Sequence, residues 1–339
     1  MKLFKNANLV NIEKESASLV DILVDEQGKI FQVGKGLKCN GEVTDLGGDY
    51  VLPPFVNGFA QSQKAVQNSY GIQTDEKLTE KLILCKNLLA GAVFLNNNPL
   101  ILDEIDKKSE AELDNLSENA AKAKSKLFMK VGLDLDELGA IDKHYQKTLA
   151  QVLEDFGFLD RDCVLVGGNC LEKDELQTLK DYDAKVVLTP YEDGRLGRRQ
   201  NNLRMLKNFD FDMCFGSGAM AEIDFFGFMR HILLSTSSMF EDANLLTESD
   251  ALKIATNGKV LGFDNDVKIG ADANFVVVKK GNSLHNNVMK ELVWGKSKKD
   301  VQMTVFRGAI LQKNGKILMQ SLPQYDKIKE EIKISQGEN

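Results

Sequence analysis

Val51-Leu52-Pro53-Pro54-Phe55-Val56-Asn57-Gly58-Phe59-Ala60-Gln61 is the stretch at which the texture of the chain changes. Ahead of it the sequence reads as short strands at 3–10, 19–25, 30–33 and 42–46, with Asp25-Glu26-Gln27-Gly28-Lys29 as a turn between two of them. Behind it an apolar strand is followed by a longer run with apolar residues three and four apart, and this pair repeats. Strands are expected at 50–57, 91–96, 126–134, 163–167, 184–190 and 212–218. Helices are expected at 76–89, 110–124, 145–156, 173–181 and 223–235. Six such alternations are the pattern of β/α units around a parallel sheet or barrel.

After the last alternation, Thr247 can cap a helix over 247–257, with Asp250 three residues on in a box-like position. Strand character then returns at 274–279 and 301–307, and 310–319 reads as a hairpin around Lys313-Asn314-Gly315-Lys316. Both ends of the chain are therefore β-rich. They are expected to meet in one composite sheet domain, 1–50 with 259–325, interrupted by a β/α domain at 51–258.

The bulk composition excludes several classes. Of 339 residues, 43% are hydrophobic and 27% charged, close to the averages for globular chains and far from a disordered one. Apolar runs such as Ile232-Leu233-Leu234 fall far short of the ~20 residues that a bilayer requires, so no membrane association is expected. The start, Met1-Lys2-Leu3-Phe4-Lys5-Asn6, has no apolar stretch behind it to suggest a signal peptide. Five cysteines, an odd number with no C-x-x-C, argue against a disulfide framework and a thiolate zinc site, and a cytoplasmic location is expected. With 43 Lys and Arg against 50 Asp and Glu, the net charge of −7 disfavours nucleic-acid partners.

Three stretches together resemble the amidohydrolase superfamily, specifically its cytosine- and guanine-deaminase-like and chlorohydrolase-like branch. The run from Val51 to Gln61 is similar to the family's first barrel strand, LPGFVNAHxH. Thr247-Glu248-Ser249-Asp250-Ala251-Leu252-Lys253-Ile254-Ala255-Thr256-Asn257-Gly258 is similar to its TxxEALxxATxNGA helix. Leu261-Gly262 and Lys268-Ile269-Gly270-Ala271-Asp272-Ala273-Asn274-Phe275-Val276-Val277-Val278 resemble LG…IG…GxxADxVVxD. The resemblance covers most of the chain and implies a distorted (β/α)₈ barrel with a β-sandwich built from both chain ends.

The resemblance also implies a divalent metal, held by an H-x-H on strand one, a histidine on strand five and an aspartate on strand eight, with a strand-six histidine assisting the water. Such a metal lowers the pKa of bound water enough to give hydroxide at neutral pH. In this sequence the H-x-H falls on Phe59 and Gln61, and the strand-five H-x-x-E on Asp134 to Glu137. The strand-six histidine falls on Gly167, close to Asn169, and the terminal aspartate on Gly218. An aromatic ring and two glycines offer no side-chain lone pair, and an isolated Gln or Asp binds transition metals weakly. A degenerate member without the metal ligands is expected, with no metal and no cofactor, and with apolar bulk from Phe59 at the barrel mouth.

Barrel proteins place their sites at the carboxyl ends of the strands, and polar residues remain there: Gln61, Asp134, Glu137, Asn169, Tyr191, Glu192, Asp193 and Arg195. Asp134 and Glu137 are the catalytic candidates, because a carboxylate pair can divide acid and base roles if burial separates their pKa values. The plainer reading of such an acidic loop is a solvated surface. Gly194-Arg195-Leu196-Gly197-Arg198-Arg199 could hold an anion, although surface charge is again the simpler account. Gly167-Gly168 lacks the remaining glycines and lysine of a phosphate-binding loop. His144 and His285 read as solvent-facing and His231 as structural, whereas Cys163, Cys170 and Cys214 read as core.

The ~30 residues between Asn96 and Lys126 hold one clear helix, and a βαβ crossover takes about a dozen residues beyond its strands. The expected fold is therefore α/β, a shortened or open (β/α) TIM-like barrel plus the small β-sandwich. Lost wall strands leave sheet edges that proteins cover, so a protein partner or a homo-oligomer is expected, or a small-molecule ligand in the remnant pocket. Two functional readings stand: a non-hydrolytic binding or structural partner, and a hydrolase of C–N bonds working through Asp134 and Glu137 with a non-standard metal site or none.

Overall fold

The computed structural model describes residues 1–97, 100–123, 126–160, 162–282 and 284–335. Its two chain ends build one sheet from β1 (Lys2–Asn11), β2 (Ser16–Val24), β3 (Ile30–Gly34), β4 (Glu42–Asp45) and β5 (Tyr50–Leu52) with four strands from the far end of the chain. The barrel sheet consists of β6 (Phe55–Ala60), β7 (Ala92–Asn97), β8 (Leu100–Asp103), β9 (Leu127–Val131), β10 (Cys163–Gly167), β11 (Lys185–Leu188) and β12 (Met213–Phe215). The end sheet is completed by β13 (Phe275–Val278), β14 (Val301–Phe306), β15 (Ala309–Lys313) and β16 (Lys316–Ile317).

The end sheet runs β16-β15-β14-β13-β5-β1-β2-β3, with β4 also paired to β1. Its seam is β5, which lies parallel to β1 through Leu9↔Val51 and antiparallel to β13 through Val277↔Val51. Phe4, Ile22, Val24, Ile30, Val51, Phe275, Val277, Met303 and Val305 pack into one core, so the sheet folds over on itself as a small sandwich. The Phe4 and Phe275 rings meet edge to face at 4.9 Å across it. The β15–β16 turn places Asn314 and Gly315 at φ 49° and 77°, which is the left-handed pair that an Asn-Gly hairpin supplies.

The barrel sheet runs β7-β6-β12-β11-β10-β9-β8, with every pairing parallel. Its edge strands, β7 and β8, are consecutive in the chain with two residues between them. A chain advances at most 3.8 Å per residue, so the Cα atoms of Asn97 and Leu100 lie within about 11 Å. The carboxyl end of β7 and the amino end of β8 therefore lie near each other at the two edges of a seven-stranded sheet, a shortened form of the expected barrel. Its interior is a dry layer of Val56, Phe59, Phe128, Val164, Val166, Val187, Cys214 and Val260. Outward-facing residues such as Phe55, Met129, Leu165, Leu188 and Phe215 pack under the surrounding helices.

Several elements differ from the sequence expectation for local reasons. The strand expected at 50–57 is two strands in two sheets, broken at Pro53-Pro54, where neither residue has an N–H to give to a ladder. The helix expected at 145–156 is a pair, Leu135–Tyr145 and Leu149–Asp155. Gln146 turns left-handed between them, and Thr148 opens the second with a capping box to Gln151. The helix expected at 110–124 is Glu110–Ala123, and Lys124 lies outside the described residues. Strand β8 and the helices Ser62–Tyr70, Val288–Gly295 and Tyr325–Ser335 were not foreseen. Thr247 caps its helix through Asp250, as read from the sequence. No described helix is long and apolar enough to cross a membrane.

Candidate functional site at the carboxyl ends of the barrel strands

Strand β9 reads Leu127-Phe128-Met129-Lys130-Val131, and side chains on a strand alternate between its faces. Phe128 joins the barrel interior, and Lys130, two residues on, points the same way at the strand's carboxyl end. Gly132, at φ +66°, then ends the strand. Lys130 Nζ donates to Gln61 Oε1 at 2.9 Å and to Glu192 Oε1 at 2.6 Å. Both Lys130 and Glu192 are buried, so this is an internal ion pair.

Glu192 comes from the short helix Pro190–Arg195, which starts directly after β11 with proline at its first position. Its second oxygen, Oε2, accepts from the backbone N–H of Ala219 at 3.1 Å, just past β12. Gly218 makes this possible. A Cβ at position 218 would overlap Glu192 Oε2, and the backbone there is left-handed at φ +57°. The Glu192 carboxylate thus fills the space into which a side chain at 218 would project. Below it the Phe59 ring is fully buried and stacked on Phe128 at 6.0 Å, with Lys130 Nζ 5.7 Å from the ring centre.

A second carboxylate, Asp193, lies beside the first. It is fully buried, accepts from Thr189 Oγ1 at 3.1 Å and stands 3.9 Å from Arg198, which is also 3.7 Å from Glu192. Burial lifts the Asp193 carboxyl to about 6, against the pull of the neighbouring Asn169, Thr189 and Arg198. Two cationic side chains therefore face two carboxylates in one buried group. Among the described residues, Asn169 Oδ1, Asp193 Oδ1 and Arg198 NH1 are buried there without a hydrogen-bond partner. Asn169 Nδ2 donates to Arg199 O at 2.6 Å, and Asn201 Nδ2 donates to Gly167 O at 2.5 Å.

The residues named from the sequence divide between this group and its surroundings. Phe59, Gln61, Asn169, Glu192, Asp193 and Gly218 come together at the barrel mouth. Gly167 ends β10 at φ +107°, with room for no Cβ against Leu133 and Val131 O. Asp134 lies three residues past the end of β9, exposed, where it caps the helix Leu135–Tyr145 by accepting from Glu137 N at 2.9 Å. Glu137 in turn accepts from Leu133 N at 2.8 Å, and burial holds its carboxyl above the usual range. Among the described residues no hydrogen bond or ion pair joins either of them to Lys130, Gln61 or Glu192.

Arg195 turns outward to Asn68 O, whereas Arg198 turns inward, a correction to the reading of that run as surface charge. His144 and His285 are exposed. His231 packs beside the Tyr191 ring, and burial lowers its pKa. Cys163, Cys170 and Cys214 are buried. The residue that sequence reasoning missed is Lys130. Its signal was a single cation at an inward position of an otherwise apolar strand.

Residues 67–316 match the Amidohydrolase family. The chain is 19% identical over 255 residues to a 5-methylthioadenosine/S-adenosylhomocysteine deaminase of Clostridium tetani, covering 72% of this chain and 57% of that one. It is 26% identical over 185 residues to the deaminase of the same name from Thermococcus onnurineus, covering 52% and 43%. The chain thus spans about half the length of these curated relatives. Among solved structures it is similar to a zinc-bound adenosine deaminase from Xanthomonas campestris, with a TM-score of 0.84 at 13% identity over 98% of both chains. It is also similar to the zinc complex of the atrazine chlorohydrolase TrzN from Arthrobacter aurescens, with a TM-score of 0.80 at 16% identity over 98% of this chain and 99% of that one. With the β/α barrel, the composite end sheet and a family match over most of its length, this chain belongs to the amidohydrolase family.

Proposed function

We propose that this chain is a non-hydrolytic amidohydrolase that acts as a binding or structural partner, of another protein, a second copy of itself or a small molecule. One observation carries the reading: the centre of the barrel mouth is taken by the buried Lys130 ammonium, bonded to Gln61 and Glu192. A divalent ion needs converging lone pairs and is repelled by a cation in the same place. Phe59, Gly167 and Gly218 offer no such donor, and the oxygens of Gln61 and Glu192 are already engaged with Lys130 and the Ala219 N–H. Among the described residues no three His, Cys, Asp or Glu side chains are grouped to hold a metal ion. The residues present do not fit the zinc that two similar solved structures carry.

The test is to purify the full chain from zinc-supplemented culture, measure its metal content by plasma mass spectrometry, and assay ammonia release from adenosine and S-adenosylhomocysteine. We expect metal far below one ion per chain and no ammonia above the buffer control. Stoichiometric zinc together with ammonia release overturns the reading.

A second reading, a C–N hydrolase with a non-standard site, is favoured by the deaminase names of the relatives and by the Glu137 carboxyl, whose pKa burial raises. It assigns catalysis to Asp134 and Glu137. Asp134 already caps the helix Leu135–Tyr145 and Glu137 already accepts from Leu133 N, and that engagement weighs against it.

A further inference from the structure

Lys130 Nζ is held against two acceptors of different chemistry, the Gln61 amide oxygen at 2.9 Å and the Glu192 carboxylate at 2.6 Å. A carbonyl bond is about 1.23 Å long, so the Gln61 amide carbon lies within about 4.1 Å of the same nitrogen. Both backbones are fixed. Lys130 is flanked in the sheet by Asp103 of β8 and Val166 of β10, and Gln61 N donates to Gly218 O at 2.9 Å. An amine, a carboxamide and a carboxylate thus share one place, with Lys130 and Glu192 buried and the Phe59 ring beside them. Gln61 is only half-buried, so the group stands at the edge of solvent.

We infer that Lys130 and Gln61 join through an intramolecular isopeptide bond, with Glu192 as the proton carrier. The Nζ proton that faces Glu192 passes to the carboxylate, and burial makes this exchange of an ion pair for a neutral pair less costly than in water. The freed lone pair of Nζ attacks Gln61 Cδ, forming the new C–N bond and moving the carbonyl electron pair onto Oε1. Glu192 delivers its proton to Nε2 and takes another from Nζ. Return of the electron pair from Oε1 breaks the Cδ–Nε2 bond, and the departing ammonia removes that last proton as ammonium. Arg198, 3.7 Å from Glu192, and the Ala219 N–H favour the carboxylate that is restored at the end. Reactants held in contact in this way need no encounter from solution. In the product Nζ is an amide nitrogen, no better a metal ligand than the ammonium it replaces, so the bond and the non-hydrolytic reading do not depend on each other.

The experiment is mass spectrometry of the purified full chain, intact and after trypsin. The intact chain is expected to be lighter than its sequence by one ammonia, about 17 Da. Trypsin should release residues 39–64 and 127–143 as one branched peptide, because an acylated Lys130 resists cleavage. Succinimide formation at an Asn-Gly pair loses the same mass but within a single peptide. Gln61→Leu keeps the pair of Lys130 with Glu192 and is expected at its full sequence mass. Glu192→Gln should also keep its full mass. Should it not fold, Glu192→Asp, with a carboxylate one methylene shorter, is expected to leave most chains unjoined. An unmodified chain at full mass, or one whose lost ammonia maps to a single peptide, overturns this inference and leaves the non-hydrolytic reading standing. A branched peptide formed as fully in the Glu192 variants overturns the role given to that carboxylate.

Discussion

Glu192 and Gly218 compete for one volume: the carboxylate of the first occupies the place where any side chain of the second would begin. The two positions lie on different elements, the helix Pro190–Arg195 and the turn after β12, so each constrains what the other can be. Substituting Gly218 by Ala is expected to displace Glu192, break its pair with Lys130 and strain the left-handed backbone, costing about 3–5 kcal/mol. In a Glu192→Ala background the same change should cost only the backbone strain, about 1 kcal/mol. Urea unfolding of the four proteins measures the difference, and additive losses would show that the two residues do not collide.

Phe59 is fully buried in the barrel interior, against Phe128 and under Lys130. Phe59→Ala should therefore cost about 3–5 kcal/mol by leaving a cavity between those two partners. A loss below about 1 kcal/mol in urea unfolding would mean that the ring is not packed as described.

Asp193 gives the fold a pH dependence of unusual sign for a carboxyl group. It titrates at about 6 in the folded chain, against about 3.9 when unfolded. Between these values the folded state holds a proton that the unfolded state has released, so the favourable contribution is complete below the unfolded value and is lost as pH rises through 6. Asp193→Asn is expected to stabilise the protein at pH 8, and this gain should be about 1–1.5 kcal/mol smaller at pH 5. Unfolding midpoints of both proteins at the two pH values test this, and an equal gain at both would rule it out.

Asp134 separates the two functional readings at little cost. As a helix cap, its loss in Asp134→Ala should lower stability by about 1 kcal/mol and change nothing else. If Asp134 acted in hydrolysis, the same variant would abolish any measured ammonia release while unfolding almost normally.

Much of the architecture was legible because local pattern and local structure agree. β10 and the helices Glu76–Leu89 and Lys173–Asp181 begin and end where the apolar spacing places them, and Thr247 and Asp250 form their reciprocal cap. The strand order at the two edges of the barrel sheet was not legible. It depends on which distant strands flank β7 and β8, and a four-residue strand such as Leu100–Asp103 carries little periodicity of its own.

The centre of the site was legible only in part. Reading β9 as running to Asp134 drew attention to a carboxylate at its end, whereas the left-handed Gly132 stops the strand early and leaves Lys130 as its last inward residue. Glu192 could be seen to lie at a strand end. That it would reach a lysine 62 residues away is a property of barrel geometry, which spacing along the chain does not encode.

The position of β5 between a strand from each end of the chain sets the order of events on the ribosome. Val51 follows its partner Leu9 by only 42 residues, but its other neighbour, Val277, emerges more than two hundred residues later. At a synthesis rate of about 5–20 residues per second, that edge stays bare for roughly ten to fifty seconds. Throughout that interval the nascent chain offers an open β-template, and chaperone engagement or premature pairing between neighbouring nascent chains would act there first.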